Sequence, residues 1–333
     1  MIANILFVLF LAVVVVLALS AFRTRRMAAE AERLVPQAGE IMQVAGGSVH
    51  YVDLGPRDGQ PLVMIHGLSG QLQHFTYALA GLLIQSYRVI VVDRPGCGYS
   101  TRDSDDLAHP SEQGRMIGEM LDRLGVERPV LVGHSLGGAV SLAMAMDRPG
   151  QVGALALLCP ATQYEEAVPE VFKGLLVTSP FLRRLIGATI AVPLAAATKD
   201  RVLGIVFHPE AASEDFMIGA GAALGLRPGA FVAASADAVA LRAAGRAQTA
   251  RYADELRVPG GILFGAADSI LSPTVHGHGM QVHGLDFETL QGRGHMIPMT
   301  APQDCAEFII RMAGKTAEAN PAACEAPQET ATR

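Results

Sequence analysis

Long basic runs are missing from the globular part of this sequence. Lysine and arginine number 26 against 32 acidic residues, a formal charge of −6, so the sequence carries no electrostatic footprint for nucleic acid, which is not an expected partner. Cysteine is scarce as well. Cys97, Cys159, Cys305 and Cys324 are scattered without close pairs, a spacing that suggests neither a disulfide framework nor a zinc site. Charge of either sign disappears between residues 2 and 22, which are dominated by Leu, Val, Ile, Ala and Phe. About 20 such residues in a helix cross the roughly 30 Å hydrocarbon layer of a bilayer. The other reading of this run is a cleaved secretory signal, with Ala18-Leu19-Ser20 as the cleavage site. No Lys or Arg precedes the run, and it is longer than the ~7–15 apolar residues of a signal, so a single-pass membrane anchor over residues 1–22 is the expectation. Arg23, Arg25 and Arg26 follow it, which by the positive-inside rule puts the remainder on the cytoplasmic side. Residues 23–39 mix charges with alanines and read as a helical spacer.

What is present fits one large α/β domain with an inserted cap: 333 residues, half of them apolar, are enough for a sizeable core. Residues 40–44 and 49–53 read as an opening antiparallel hairpin turned at Gly46-Gly47. Strand-like runs follow at 61–65, 88–92, 129–132, 152–158, 261–265 and 286–290, with a helical pattern at 112–124. Alternation of strand and helix implies a doubly wound, mostly parallel sheet, whose carboxyl-end loops gather the functional residues.

The most informative segment is Gly133-His134-Ser135-Leu136-Gly137-Gly138. It follows the strand-like Val130-Leu131-Val132 and precedes an Ala-rich helical pattern, the context in which Gly-x-Ser-x-Gly forms a nucleophile elbow. Side chains at Gly133 and Gly137 would clash in so tight a turn. A serine hydroxyl is a poor nucleophile at neutral pH and needs a histidine base held by a carboxylate. Asp268, in the loop after Gly261-Ile262-Leu263-Phe264-Gly265, is the candidate acid. His295, in Gly292-Arg293-Gly294-His295, is the candidate base. An oxyanion hole needs two N–H donors, assigned here to the backbone of Leu68, in His66-Gly67-Leu68-Ser69-Gly70, and of Leu136. His66 and His134 read as residues that organise these loops.

With these residues in place, the chain resembles the α/β-hydrolase superfamily, in particular its serine-nucleophile, esterase- and lipase-like members with a helical lid, over about residues 40–314. The resemblance rests on His66-Gly67, the loop Asp93-Arg94-Pro95-Gly96-Cys97-Gly98-Tyr99-Ser100, the elbow, Asp268 and His295. Epoxide hydrolases and haloalkane dehalogenases of this fold carry aspartate at the elbow, so Ser135 argues against both. Some relatives place the acid after the sixth strand, where this chain has Cys159-Pro160-Ala161-Thr162 and no carboxylate. The resemblance implies a core of residues 40–159 and 260–314, with a helical lid over 160–259.

The lid segment has few charges and several Phe, Leu and Ile residues. These either pack it onto the core, or one side of it lines an apolar acyl pocket or touches the bilayer, with Arg183 and Arg184 near lipid headgroups. His276, His278 and His283 read as a polar surface loop, since adjacent glycines and the lack of a nearby carboxylate or cysteine argue against metal ligation. Residues 315–333 have almost no large apolar side chains and read as a disordered tail. The expected activity is hydrolysis of a carboxylic ester of an apolar acyl chain, a small-molecule or lipid-like substrate, through an acyl-enzyme with a Ser-His-Asp triad, without cofactor or metal. A lactone, thioester or carbon–carbon bond on the same triad remains open, as does a non-catalytic protein of the same fold.

Overall fold

The computed structural model describes residues 1–318. Its strands are β1 (Glu40–Val44), β2 (Gly47–Leu54), β3 (Pro61–Ile65), β4 (Arg88–Val92), the short β5 (Thr101–Arg102), β6 (Val130–His134), β7 (Ala154–Leu158), β8 (Gly260–Gly265) and β9 (Asp286–Leu290). They lie in the order β1-β2-β4-β3-β6-β7-β8-β9, with β5 added to β2. β1, β2 and β4 pair antiparallel, while every neighbour from β4 to β9 is parallel. Every residue of β4, β6, β7 and β8 is buried. Strands covered on both faces have no polar side to show, which is why these segments read as nearly unbroken apolar runs. The hairpin turn differs from expectation by one residue. Val44 pairs with Gly47, so the turn is Ala45-Gly46, and Gly46 takes the left-handed backbone that such a turn demands, at φ 93°.

Chain order reverses between β3 and β6. Loops leaving these adjacent parallel strands run in opposite directions and leave a crevice at their carboxyl ends; residues 66–70 and the Ser135 turn both lie there. The C-terminal helix Pro302–Glu318 buries Phe308, Ile309 and Met312. It continues past Gly314, where a disordered tail was expected, and Lys315 still pairs with Asp286 at 2.6 Å. The rest of that expected tail, with Cys324, lies outside the described residues.

Residues 160–259 are helical and without strands. The helix Pro228–Glu255 reaches deep into the core, where Tyr252 is buried and Gln248 donates to the Ala139 carbonyl at 2.9 Å. The last turns of this helix, inside the segment expected to form the lid, thus pack into the core. Arg183 is not free for a headgroup, whereas Arg184 stays half exposed. Arg183 is buried, donates to Ser235 Oγ at 3.0 Å and pairs with Asp105, which Arg184 also reaches at 3.0 Å.

The segments expected to be anchor and spacer form one unbroken helix, Ile2–Leu34. Its apolar half is bare, but where the charges begin it docks on the cap. Ser20 and Thr24 hydroxyls both donate to the carbonyl of Thr189, at 2.7 and 3.1 Å. Thr189 belongs to the π-helical turn Gly187–Ala191, whose wider hydrogen-bond spacing interrupts the α-helical ladder. Further on, Ala31 and Val35 pack against Ala223 and Leu224, and the Tyr99 hydroxyl donates to the Val35 carbonyl at 2.6 Å. The expected spacer is thus part of the folded unit. A chain starting at residue 23 keeps these last contacts, whereas one starting at residue 37 loses them. Burial of a valine and one buried hydrogen bond together amount to about 2–4 kcal/mol. Thermal melts of the two truncations should differ accordingly, the shorter chain melting several degrees lower; equal melting temperatures would mean that the docking contributes nothing.

Candidate active site

Ser135 connects the end of β6 to the helix Leu136–Asp147 with φ 54° and ψ −121°. An L-residue adopts such angles only when its surroundings enforce them. They do so by contact. A Cβ on Gly137 would stand 2.0 Å from the Ile65 carbonyl oxygen, and one on Gly133 would stand 2.5 Å from Ser141 Oγ. The Ser135 N–H donates to the Leu158 carbonyl at 3.1 Å, and its own carbonyl accepts from Gly138 and Ala161, both at 2.9 Å. The turn is thereby fixed to β7 as well as to β3. Leu136, just beyond it, is the first residue of the helix, where N–H groups have no intrahelical partner.

Asp268 and His295 come from loops after β8 and β9 and meet directly, His295 Nδ1 donating to Asp268 Oδ2 at 2.7 Å, with both side chains buried. The other carboxylate oxygen accepts the N–H groups of Ile270 and Leu271 at 2.8 and 3.0 Å. Burial raises the Asp268 pKa, but the charge and hydrogen bond of His295 and these N–H donors outweigh it and hold it below the ordinary carboxylate value. An ionised acceptor on Nδ1 keeps the ring proton there and leaves Nε2 free to take another.

Ser135, His295 and Leu68 border one cavity of about 440 Å³, whose walls include Ile186, Ile190 and Phe207 from the inserted helices. Ser135, Leu68 and Leu136 also border a second cavity of about 140 Å³, lined by Tyr164, Gln248 and His276 among others. The structure therefore brings together all five residues singled out in the sequence. Other histidines at the first cavity are poor bases. Burial, then the neighbouring His295, lowers His134 to about 3, and burial lowers His74 to about 4. The His134 ring donates through Nε2 to the His295 carbonyl at 3.0 Å, and His66 is buried in the loop it organises, as the sequence reading has it.

Two features escaped that reading. His276 is no surface residue: it is buried, accepts the N–H groups of Thr162 and Gln163 on Nδ1 at 3.0 and 3.1 Å, and donates from Nε2 to Glu165 at 2.8 Å. Only the fold brings Glu165 to it. Cys159 lies beside the Asp268–His295 pair, their ligand atoms all within 4.8 Å of one another. Burial, then the Asp268 charge, pushes its thiol well above the ordinary value, so it stays protonated and is a poor metal ligand. Its place directly after β7, where some similar proteins carry the acid, was the available signal.

A family model for the alpha/beta hydrolase fold matches residues 60–181. Among curated proteins, the dihydrolipoyllysine-residue acetyltransferase component of the acetoin cleaving system from Pseudomonas putida is 33% identical over 152 residues, 45% of this chain and 39% of that protein. The chain thus spans less than half the length of the curated relatives it matches. Of solved structures, an alpha/beta hydrolase fold protein from Burkholderia ambifaria superimposes with a TM-score of 0.68 at 20% identity, covering 82% of this chain and 97% of that one. A membrane phospholipase A described as a bacterial virulence factor gives 0.64 at 19% identity, covering 95% and 98%. At such identities the likeness speaks to the fold. Together with the sheet order, the matched stretch supports the alpha/beta-hydrolase superfamily, and the chain has the alpha/beta-hydrolase fold.

Proposed function

We propose that this protein is a membrane-anchored serine hydrolase that cleaves carboxylic esters of apolar acyl chains. The observation that carries the reading is that the strained Ser135 and the Asp268-bound His295 face one apolar cavity. Ser135 Oγ attacks the ester carbonyl while His295 Nε2 takes its proton, and Asp268 stabilises the imidazolium that results. The N–H groups of Leu68 and Leu136 hold the oxyanion. Collapse expels the alcohol, which leaves with the proton from His295, and water drawn on by His295 then releases the acid. The larger cavity suits the acyl chain, and the smaller one the alcohol. The bare apolar run of Ile2–Leu34, with mean hydropathy 3.2 over its most apolar window, supports the anchor, the catalytic unit lying on the side of Arg23, Arg25 and Arg26.

A fluorophosphonate probe tests the chemistry directly. It should label the wild-type protein on Ser135, and labelling elsewhere, or none, would refute the assignment. Ser135→Ala and Ser135→Gly should both lose activity on the order of 10⁴-fold or more. They should differ in stability, because glycine accepts φ 54° and alanine does not: the glycine variant should be about 1 kcal/mol the more stable, as read by denaturant melts.

Carbonate washing of membranes should leave the full-length chain in the pellet, since an inserted helix of about 20 apolar residues resists it; recovery in the supernatant would exclude the anchor. Each methylene buried in the larger cavity contributes about 0.8 kcal/mol, roughly fourfold in affinity. Across p-nitrophenyl esters, kcat/KM should therefore rise from acetyl toward medium-length chains and then level off. A steady decline from acetyl through octanoyl would leave the serine chemistry standing and remove the lipid-like substrate.

A further inference from the structure

Arg94 is wholly buried, and its guanidinium grips two consecutive peptide units of the loop after β3. Nε donates to the His66 carbonyl at 2.9 Å and Nη2 to the Gly67 carbonyl at 3.0 Å. The Gly67 carbonyl also accepts from His66 Nδ1 at 2.8 Å and from the Gly70 N–H at 3.2 Å. His66 can donate there because its Nε2 accepts the backbone N–H of Arg94 at 3.0 Å, which puts the ring proton on Nδ1. Burial, then the nearby Arg94 charge, keeps this ring neutral, so the arrangement persists across the physiological range.

The Gly67 carbonyl and the Leu68 N–H belong to one planar, trans peptide unit. Three donors that fix the oxygen on one side therefore aim the N–H on the other. The remaining arm of Arg94, Nη1, donates to Asp237 Oδ2 at 2.6 Å and to Gln113 Oε1 at 2.7 Å. Asp237 belongs to the helix Pro228–Glu255 and also accepts from Arg102 at 2.7 Å. A guanidinium can serve carbonyls and carboxylate at once because its five donors lie in a rigid fork, whereas an ammonium is a single point.

We propose that Arg94 is a positioning residue for the oxyanion hole, aiming the Leu68 N–H by clamping the Gly67 carbonyl, and that Asp237 locks Arg94 in that pose from the inserted helix. This inference rests on the ester-hydrolase reading. It makes the orientation of an oxyanion donor depend on a carboxylate 143 positions further along the chain from Arg94.

Arg94→Lys keeps a charge for Asp237 but cannot span both carbonyls, and Asp237→Asn keeps the shape while removing the charge. Removing an oxyanion donor costs about 10²–10³ in kcat, so misaiming one by Arg94→Lys should cost about 10- to 100-fold. KM should stay near the wild-type value, because the oxyanion exists only in the transition state. Affinity for a trifluoromethyl ketone, which forms a tetrahedral adduct on the serine, should fall in parallel with kcat/KM. Asp237→Asn should show the same split with a smaller fall. Rates are taken per folded protein, from thermal melts of each variant. Wild-type kcat in folded Arg94→Lys overturns the proposal, as does a loss confined to KM or a failure of both variants to fold. A wild-type protein with no turnover on any ester refutes the ester-hydrolase reading itself, and with it this inference; active wild type with an unaltered Arg94→Lys refutes the positioning alone.

Discussion

A serine at φ 54° and ψ −121° is strained by about 1–3 kcal/mol, and the structure around it is arranged so that relaxation has nowhere to go. Its N–H and carbonyl are tied to Leu158, Gly138 and Ala161. The following turn of helix presses so closely on β3 that a single methyl at Gly137 would overlap the Ile65 carbonyl. Those contacts exist only because β3 and β6 are adjacent and parallel, and that adjacency requires the excursion of the chain through β4 between them. The sheet order and the side-chain size at two glycines are therefore consequences of the same constraint. The hydroxyl is held at the mouth of the crevice because the backbone cannot turn it anywhere else.

Much of this could be read from the sequence, for a physical reason. Strands covered on both faces leave continuous apolar runs, so β3, β4, β6, β7 and β8 stood out. Residues at strand ends are located as soon as the strands are, which is how Ser135, Asp268 and His295 could be singled out. Boundaries set by local chemistry fared less well: the hairpin turn fell at Ala45-Gly46 because register, not glycine content, decides it. Beyond the Asp268–His295 pair, contacts between distant segments were not legible. The pairing of His276 with Glu165 and of Arg94 with Asp237 leaves no periodic signature. A charged residue within a mixed helical segment such as 228–255 looks solvent-exposed until the fold buries it.

Cys159 shows how the neighbourhood of the Asp268–His295 pair is kept electrically simple. A carboxylate directly after β7 would stand beside Asp268 and add a second negative charge to a buried site, where like charges raise each other's pKa steeply. A protonated thiol brings no charge. It also uses its polarity modestly, accepting the Gly265 N–H at 3.5 Å and donating to the Gly294 carbonyl at 3.8 Å. Asp268 is thus left with His295 and two backbone donors as its partners, all of which favour the ionised form.

The N-terminal helix raises the question of why a run that is otherwise apolar carries hydroxyls at Ser20 and Thr24. A hydroxyl in a helix ordinarily bonds to its own preceding turn. Here both turn outward to the Thr189 carbonyl, in the π-helical turn beside Ile186 and Ile190 of the cavity wall. Four residues on from Thr189 stands Pro193, which has no N–H to give this carbonyl, and two hydroxyl donors are supplied at the level where the charge-free run gives way to Arg23. On the anchored reading, the wall of the substrate cavity is then referenced to the end of the membrane-spanning segment rather than tethered at a variable distance. On that same reading, the height of the cavity above the bilayer would follow from hydrogen-bond geometry at Thr189, and Ala31 and Val35, packed on Ala223 and Leu224, would keep the rest of the helix from pivoting about that point.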